Sequence, residues 1–143
     1  MSLIRRGLSL AWEAPQTALG ALVLAAEAAR KRIIRVEVED GRWVVESKGT
    51  GVSLGHIVFW SRESSRWHDL DTRNRAHELG HTKQSRMLGW LYLPVVGVPS
   101  ISRAAYALMY RELTGKQWTR YYRGYPEKWA DRLGGVTRDG GHA

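Results

Sequence analysis

His77, Glu78 and His81 stand in the run His77-Glu78-Leu79-Gly80-His81. On a helix the two histidines lie one turn apart on one face. Imidazoles so placed converge on one point and can hold a zinc ion. Glu78 projects about 100° around the helix from His77, beside that point rather than on it. From there it can take a proton from a zinc-bound water, as general base for attack on a carbonyl. Catalytic zinc takes three protein ligands and keeps one position open, so a third ligand must come from elsewhere. Glu127 is the candidate, with Asp131 one helical turn further on the same face. Asp131 can accept a hydrogen bond from the free ring nitrogen of a ligand histidine, His77 by preference, which fixes the tautomer and strengthens the ligand. Taken alone, the Glu127/Asp131 pair reads as easily as a solvated helix face.

Composition narrows the alternatives. The chain has 143 residues, enough for one domain with one modest core, and no cysteine. Disulfides, thiolate zinc sites and cysteine nucleophiles are therefore excluded, and any transition metal must be held by His, Asp and Glu. Two imidazoles and a carboxylate suit Zn2+, although cobalt, nickel or iron can use the same set. The formal net charge of +8 suits nucleic acid, an anionic membrane surface or an acidic substrate. The basic clusters Arg5-Arg6, Arg30-Lys31-Arg32 and Arg120–Arg123 are short, so nucleic acid is the least favoured of these partners.

The elements that must position the site are legible in outline. Residues 1–14 are expected to be loosely ordered. A helix is expected from Pro15 to Lys31, with Pro15 in its first turn. Glu13, Pro15 and Gln16 interrupt the early apolar region, so a signal peptide is not favoured, and the segment is too short in apolar residues to span a membrane. Residues 15–32 as an amphipathic helix, or the apolar stretch 90–101, are the candidate contacts for a membrane surface. Ile33–Glu39 alternates apolar and charged residues, Asp40-Gly41 is a turn signal, and Trp43–Ser47 reads as the returning strand. Leu54–Trp60 reads as a third strand, which makes a small antiparallel sheet. A helix capped by Asp71 or Thr72 carries the histidines and ends at Gly89. Pro94 and Pro99 argue against one straight helix over 90–101. A further helix opens at Ser100 or Ser102 and ends at Gly115. A short last helix, Glu127–Leu133, begins after Pro126 and stops at Gly134-Gly135. Residues 136–143 are expected to be a loose tail. The expected class is α+β in a single domain spanning 1–143.

His77-Glu78-x-x-His81 followed by Glu127-x-x-x-Asp131 resembles the gluzincin branch of zinc metallopeptidases. The wider pattern, His77-Glu78-x-Gly80-His81-x-x-Gln84-Ser85-Arg86, Gly89-x-Leu91-Tyr92 and Glu127-x-Trp129-Ala130-Asp131, resembles a group of small, uncharacterised bacterial zincin-like proteins over roughly residues 54–135. The resemblance implies a minimal zincin-like fold: N-terminal helix, sheet, metal-binding helix, C-terminal helices. It implies His77, His81 and Glu127 as ligands, Glu78 as base and Asp131 as the carboxylate behind a ligand. It also implies a peptide or protein substrate, paired in extended form along a sheet-edge strand, here Leu54–Trp60. Within these 143 residues the second domain of larger gluzincins is not expected. For their separate oxyanion donor it offers Tyr121, Tyr122 and Tyr125, of which Tyr122 and Tyr125 are carried as candidate catalytic residues.

The neighbouring polar residues have weaker signals. Gln84 lies one turn below His81 and is expected to hydrogen-bond the metal surround. Arg86 is expected either to anchor Asp131 or a substrate carboxylate, or to be an ordinary surface arginine. His56 reads as a packed or surface residue, His68 beside Trp67 as a possible cleft residue, and His142 as part of the tail. The expected activity is zinc-dependent hydrolysis of peptides. The alternative is a zinc-bearing but non-catalytic or latent module associated with a membrane or protein partner. The expected location is the cytoplasm or the inner face of the membrane.

Overall fold

The computed structural model describes residues 3–64 and 70–138. Helix α1 (Leu3–Trp12) and helix α2 (Ala14–Ala29) meet at Glu13. Strands β1 (Ile33–Glu39), β2 (Arg42–Ser47), β3 (Val52–Leu54) and β4 (Ile57–Trp60) follow, then helices α3 (Asn74–Leu88), α4 (Val98–Thr114) and α5 (Glu127–Gly134). The class is α+β, with the histidines on α3 and the downstream carboxylates on α5.

Several elements differ from the expectation. Residues 3–12 are helical rather than loose. Trp12 ties the end of α1 to α3 by donating its indole N–H to the Arg86 carbonyl at 3.0 Å, while Trp90 donates to the Ala11 carbonyl at 2.8 Å. Asp71 does not cap α3. Its Oδ1 accepts from the Arg73 N–H at 2.8 Å and its carbonyl from the Asn74 N–H, a turn that precedes the helix. The segment after α3 is neither one straight helix nor a loop. It is a 3₁₀ turn at Gly89–Leu91 and a π-helical turn at Leu93–Gly97 that runs into α4. Pro94 and Pro99 each occupy a first-turn position there, where a missing N–H is harmless. Val136 N–H bonds back to the Asp131 carbonyl at 2.9 Å, and the rest of the expected tail beyond residue 138 lies outside the described residues.

The sheet is mixed, in the order β1-β2-β4-β3. The β1–β2 hairpin turns at Asp40-Gly41, both at positive φ. The expected third strand is broken at Gly55-His56 into two strands that pair antiparallel, and β4 then runs parallel to β2. Gly55 has φ +63° and a Cβ there would meet the Thr17 backbone nitrogen at 2.9 Å, so α2 packs directly on the turn. One face of the sheet, Val45, Ile57 and Phe59, packs with Val23 and Leu24 of α2 to form the core. Alternation puts Val44 and Val58 on the other face. There Arg75 of α3 reaches Glu37 and Glu39 of β1.

A buried polar hub fixes α3 against the N-terminal helices. Glu13 is fully buried and takes Arg42 on both oxygens, at 3.1 and 2.9 Å. Ser85 of α3 donates to the same carboxylate at 2.5 Å. Gln16 donates to Ser85 Oγ at 3.1 Å and to the Gly89 carbonyl at 2.9 Å. Breaking such a buried pair from one side costs about 3–5 kcal/mol, because the remaining charge is left uncompensated.

Candidate metal centre

Helices α3 and α5 cross with their backbones almost touching. A Cβ on Gly80 would sit 2.8 Å from the Ala130 carbonyl carbon, and one on Gly134 would sit 2.9 Å from that of Ala76. Any side chain at either position would part the helices. Lys83 adds a clamp, donating to the Leu133 carbonyl at 2.6 Å. This crossing carries Glu127 to the histidines of α3.

Ligand atoms of His77, His81 and Glu127 lie within 4.8 Å of one another, and all three residues are buried. Glu127 Oε2 is 2.9 Å from His77 Nε2 and 3.2 Å from His81 Nε2. The opposite ring nitrogens face fixed acceptors. His77 Nδ1 is 2.7 Å from Asp131 Oδ1, and His81 Nδ1 is 2.7 Å from Gln84 Oε1. Gln84 is itself oriented by donating to the Pro126 carbonyl at 3.2 Å. With each Nδ1–H donated outward, both Nε2 lone pairs point inward at the Glu127 carboxylate. Three such atoms held that close can share a cation between them. This donor set fits a divalent metal such as Zn2+.

Without a metal, a proton must serve. Burial by itself pushes His77 down, but its hydrogen bonds to Asp131 and Glu127 outweigh that and raise it to about 9. Burial likewise pushes Glu127 up, and the two histidines overcome it and hold the carboxylate well below its usual range. Glu127 Oε1 accepts from Ser100 Oγ at 2.5 Å, so α4 also steadies the ligand. Asp131 is held by Arg138, whose Nε and terminal nitrogen donate to its two oxygens at 2.6 and 3.0 Å. The role expected of Arg86 toward Asp131 therefore belongs to Arg138; Arg86 is exposed at the end of α3.

Glu78 faces the sheet side of the centre. Its Oε1 accepts from Asn74 Nδ2 at 3.3 Å, and its Oε2 is buried with no hydrogen-bond partner among the described residues. Burial pushes the carboxyl up, while His81 and His77 pull it down less strongly. A Cβ on Gly51, just before β3, would stand 3.2 Å from Glu78 Oε1, so the bare backbone there makes room for the carboxylate.

The tyrosines separate. Tyr122 sets its ring edge-on to His77 at 5.1 Å, with the Arg138 guanidinium 3.3 Å over its face. Burial raises its hydroxyl pKa and keeps it protonated. Tyr125 is half exposed, stacks on Trp129 and donates its hydroxyl to the Val95 carbonyl at 2.6 Å. Tyr121 is buried and packs edge-on against Tyr122. Tyr92, not singled out as a site residue by its sequence context, is buried near Glu78 and donates to the Ser53 carbonyl at 3.0 Å.

The expected substrate strand needs correction. β4 lies between β2 and β3 and has no free edge; the edge strand beside α3 is β3. His56 is away from the ligands, its Nε2 3.3 Å from Ser9 Oγ and 3.4 Å from Glu13. His68, Trp67 and His142 lie outside the described residues.

Comparison with family models, curated proteins and solved structures finds no match for this chain. The functional reading therefore rests on the geometry of the centre.

Proposed function

We propose that the protein is a zinc-dependent hydrolase acting on peptide carbonyls, with Glu78 as general base. The observation that carries this is the convergence of His77, His81 and Glu127 beside a buried carboxylate oxygen without a partner. Zinc held by those three residues would supply a Lewis acid that polarises a carbonyl and acidifies water. Glu78 Oε2 is the atom left to accept the proton, and its burial raises its basicity toward the working range. Asn74 steadies the other oxygen, while Asp131 and Gln84 hold the imidazoles in register. Tyr122, kept protonated against His77, is assigned to donate to the developing oxyanion.

Metal content by mass spectrometry on wild type and Glu127→Ala, followed by a peptide-library digest with Glu78→Gln, tests the proposal. One zinc per chain is expected, lost in Glu127→Ala, with turnover abolished and zinc retained in Glu78→Gln. Full activity in zinc-loaded Glu78→Gln would overturn it.

A second reading, a latent or non-catalytic zinc module at a membrane surface, has its own support. None of His77, Glu78, His81 and Glu127 is more than 4 % exposed, and Tyr92 occupies a carbonyl of edge strand β3. Trp90, Leu91, Val98 and Ile101 of the 90–101 stretch are each more than half exposed, as is Leu22 of α2. No described helix is long and apolar enough to cross a membrane, so such contact would lie along its face, at the inner surface for a cytoplasmic protein. Stoichiometric zinc without hydrolysis, and sedimentation with anionic liposomes, would favour this reading.

A further inference from the structure

A cleft of about 260 Å³ opens between α4, residues 117–122 and Arg138. Trp118, Tyr121 and Tyr122 give it aromatic walls, and Arg73, Arg111 and Arg138 bring guanidinium groups to it. Two of these cations are matched. Arg73 donates to Asp71, also in the lining, at 2.9 and 2.5 Å, and Arg138 is committed to Asp131. Among the described residues the Arg111 side chain pairs with no carboxylate, so it brings to the lining a guanidinium that no acid of the lining neutralises. Its walls are built rather than incidental. Arg103 lies 4.8 Å over the Trp118 ring and donates to the Tyr121 carbonyl at 3.0 Å, and Tyr106 packs edge-on to Trp118.

The cleft and the metal centre share a wall. Tyr122 lines one and touches His77 in the other; Arg138 lines one and holds Asp131 in the other. A group bound in the cleft is therefore one side chain away from the ligands. A guanidinium fork beside flat apolar rings is a receptor for a carboxylate on an organic body.

We propose that this cleft is a substrate subsite that binds a carboxylate of a peptide, with Arg111 as the residue that sets the preference. The carboxylate is that of an acidic side chain or of a free C-terminus, and the inference rests on the peptidase reading above. The net charge of +8 draws the same class of substrate toward the surface.

Calorimetric titration of zinc-loaded Glu78→Gln with short peptides tests it directly. One peptide carries Glu and an amidated end, one is neutral with a free C-terminus, and one is neutral and amidated. A carboxylate peptide is expected to bind about 10-fold tighter than the neutral amide, the size of a charge-assisted hydrogen bond. Which of the two does so names the source. Adding Arg111→Ala should remove the preference while leaving zinc content and neutral-peptide affinity unchanged, and Arg111→Lys should restore part of it. Equal binding of all three peptides, no binding of any at millimolar concentration, or a preference that survives Arg111→Ala would overturn the inference. Hydrolysis by wild type without acid preference would sink the subsite and spare the hydrolase. Selective binding without hydrolysis would do the reverse.

Discussion

Gly80→Ala tests whether the metal centre depends on the helix crossing. In an unencumbered helix, glycine to alanine stabilises by roughly 0.5–1 kcal/mol. At Gly80 the new Cβ would lie 2.8 Å from the Ala130 carbonyl carbon and 3.0 Å from Gly134 N, where ordinary contact begins at 3.4 Å. The Ala130 carbonyl oxygen would be closer still and all three obstacles are backbone, so α5 must withdraw by more than the about 0.6 Å that separates 2.8 from 3.4 Å. Zinc ligands tolerate about ±0.2 Å, and Glu127 is less than one turn from Ala130 on the displaced helix. If α5 instead stays in place, the overpacking costs about 1–3 kcal/mol. The expected result is a zinc affinity reduced at least about 100-fold, beyond what loss of a ligand's hydrogen-bond partner costs, together with a lower melting temperature. Competition against a chromophoric chelator reads the first and a thermal scan the second. Gly7→Ala is the control, since nothing lies within 4 Å of a Cβ there. A Gly80→Ala protein with wild-type zinc affinity and melting temperature would refute the idea that backbone contact at this crossing sets the ligand geometry.

Asp131→Ala should weaken zinc about 10–100-fold through loss of the His77 partner, and Asp131→Asn, which can still accept from Nδ1, should weaken it less; equal affinity in wild type and Asp131→Ala would dismiss that role. Stripping the metal should make stability pH-dependent. His77 is raised from 6.5 to about 9 in the folded protein, so its contribution is complete below 6.5 and is lost as the pH rises through 9. The loss is of order 3 kcal/mol. Urea unfolding of chelated and zinc-loaded protein at those two pH values should show the decline in the chelated form only, and a flat chelated curve would count against the proton bridge.

The cluster of His77, His81 and Glu127 was readable as a candidate because its pieces are local. His77 and His81, and again Glu127 and Asp131, are four residues apart, and helix geometry alone puts each pair on one face. What joins the two helices was not readable as such. Gly80 sits inside the motif, but its role needs the knowledge that Gly134 faces it. Ser100 and Arg138 act on Glu127 and Asp131 from elements whose docking no spacing announces. The run Leu54–Trp60 conceals a two-residue turn, because apolar residues on both sides of Gly55-His56 mask the break; close packing on Thr17 decides it. Glu13 reads along the chain as a charge interrupting an apolar region. Its partner Arg42 is 29 residues away, and the pair is interior. The stretch Tyr121–Tyr125 offers three hydroxyls with no way to rank them, and only the turn at Tyr121–Arg123 sends Tyr122 to His77 and leaves Tyr125 on Val95.

The third ligand follows His81 by 46 residues and reaches it only when α5 has docked against α3. A nascent chain that has released α3 from the ribosome but not yet α5 presents two histidines and can hold metal only weakly. A metal that needs all three side chains would be held tightly only after α5 has seated on α3. Since the free energy of metal binding would then add to that of folding, a bound divalent ion would report that docking. Metal content would then measure the fraction of molecules that have α5 in place.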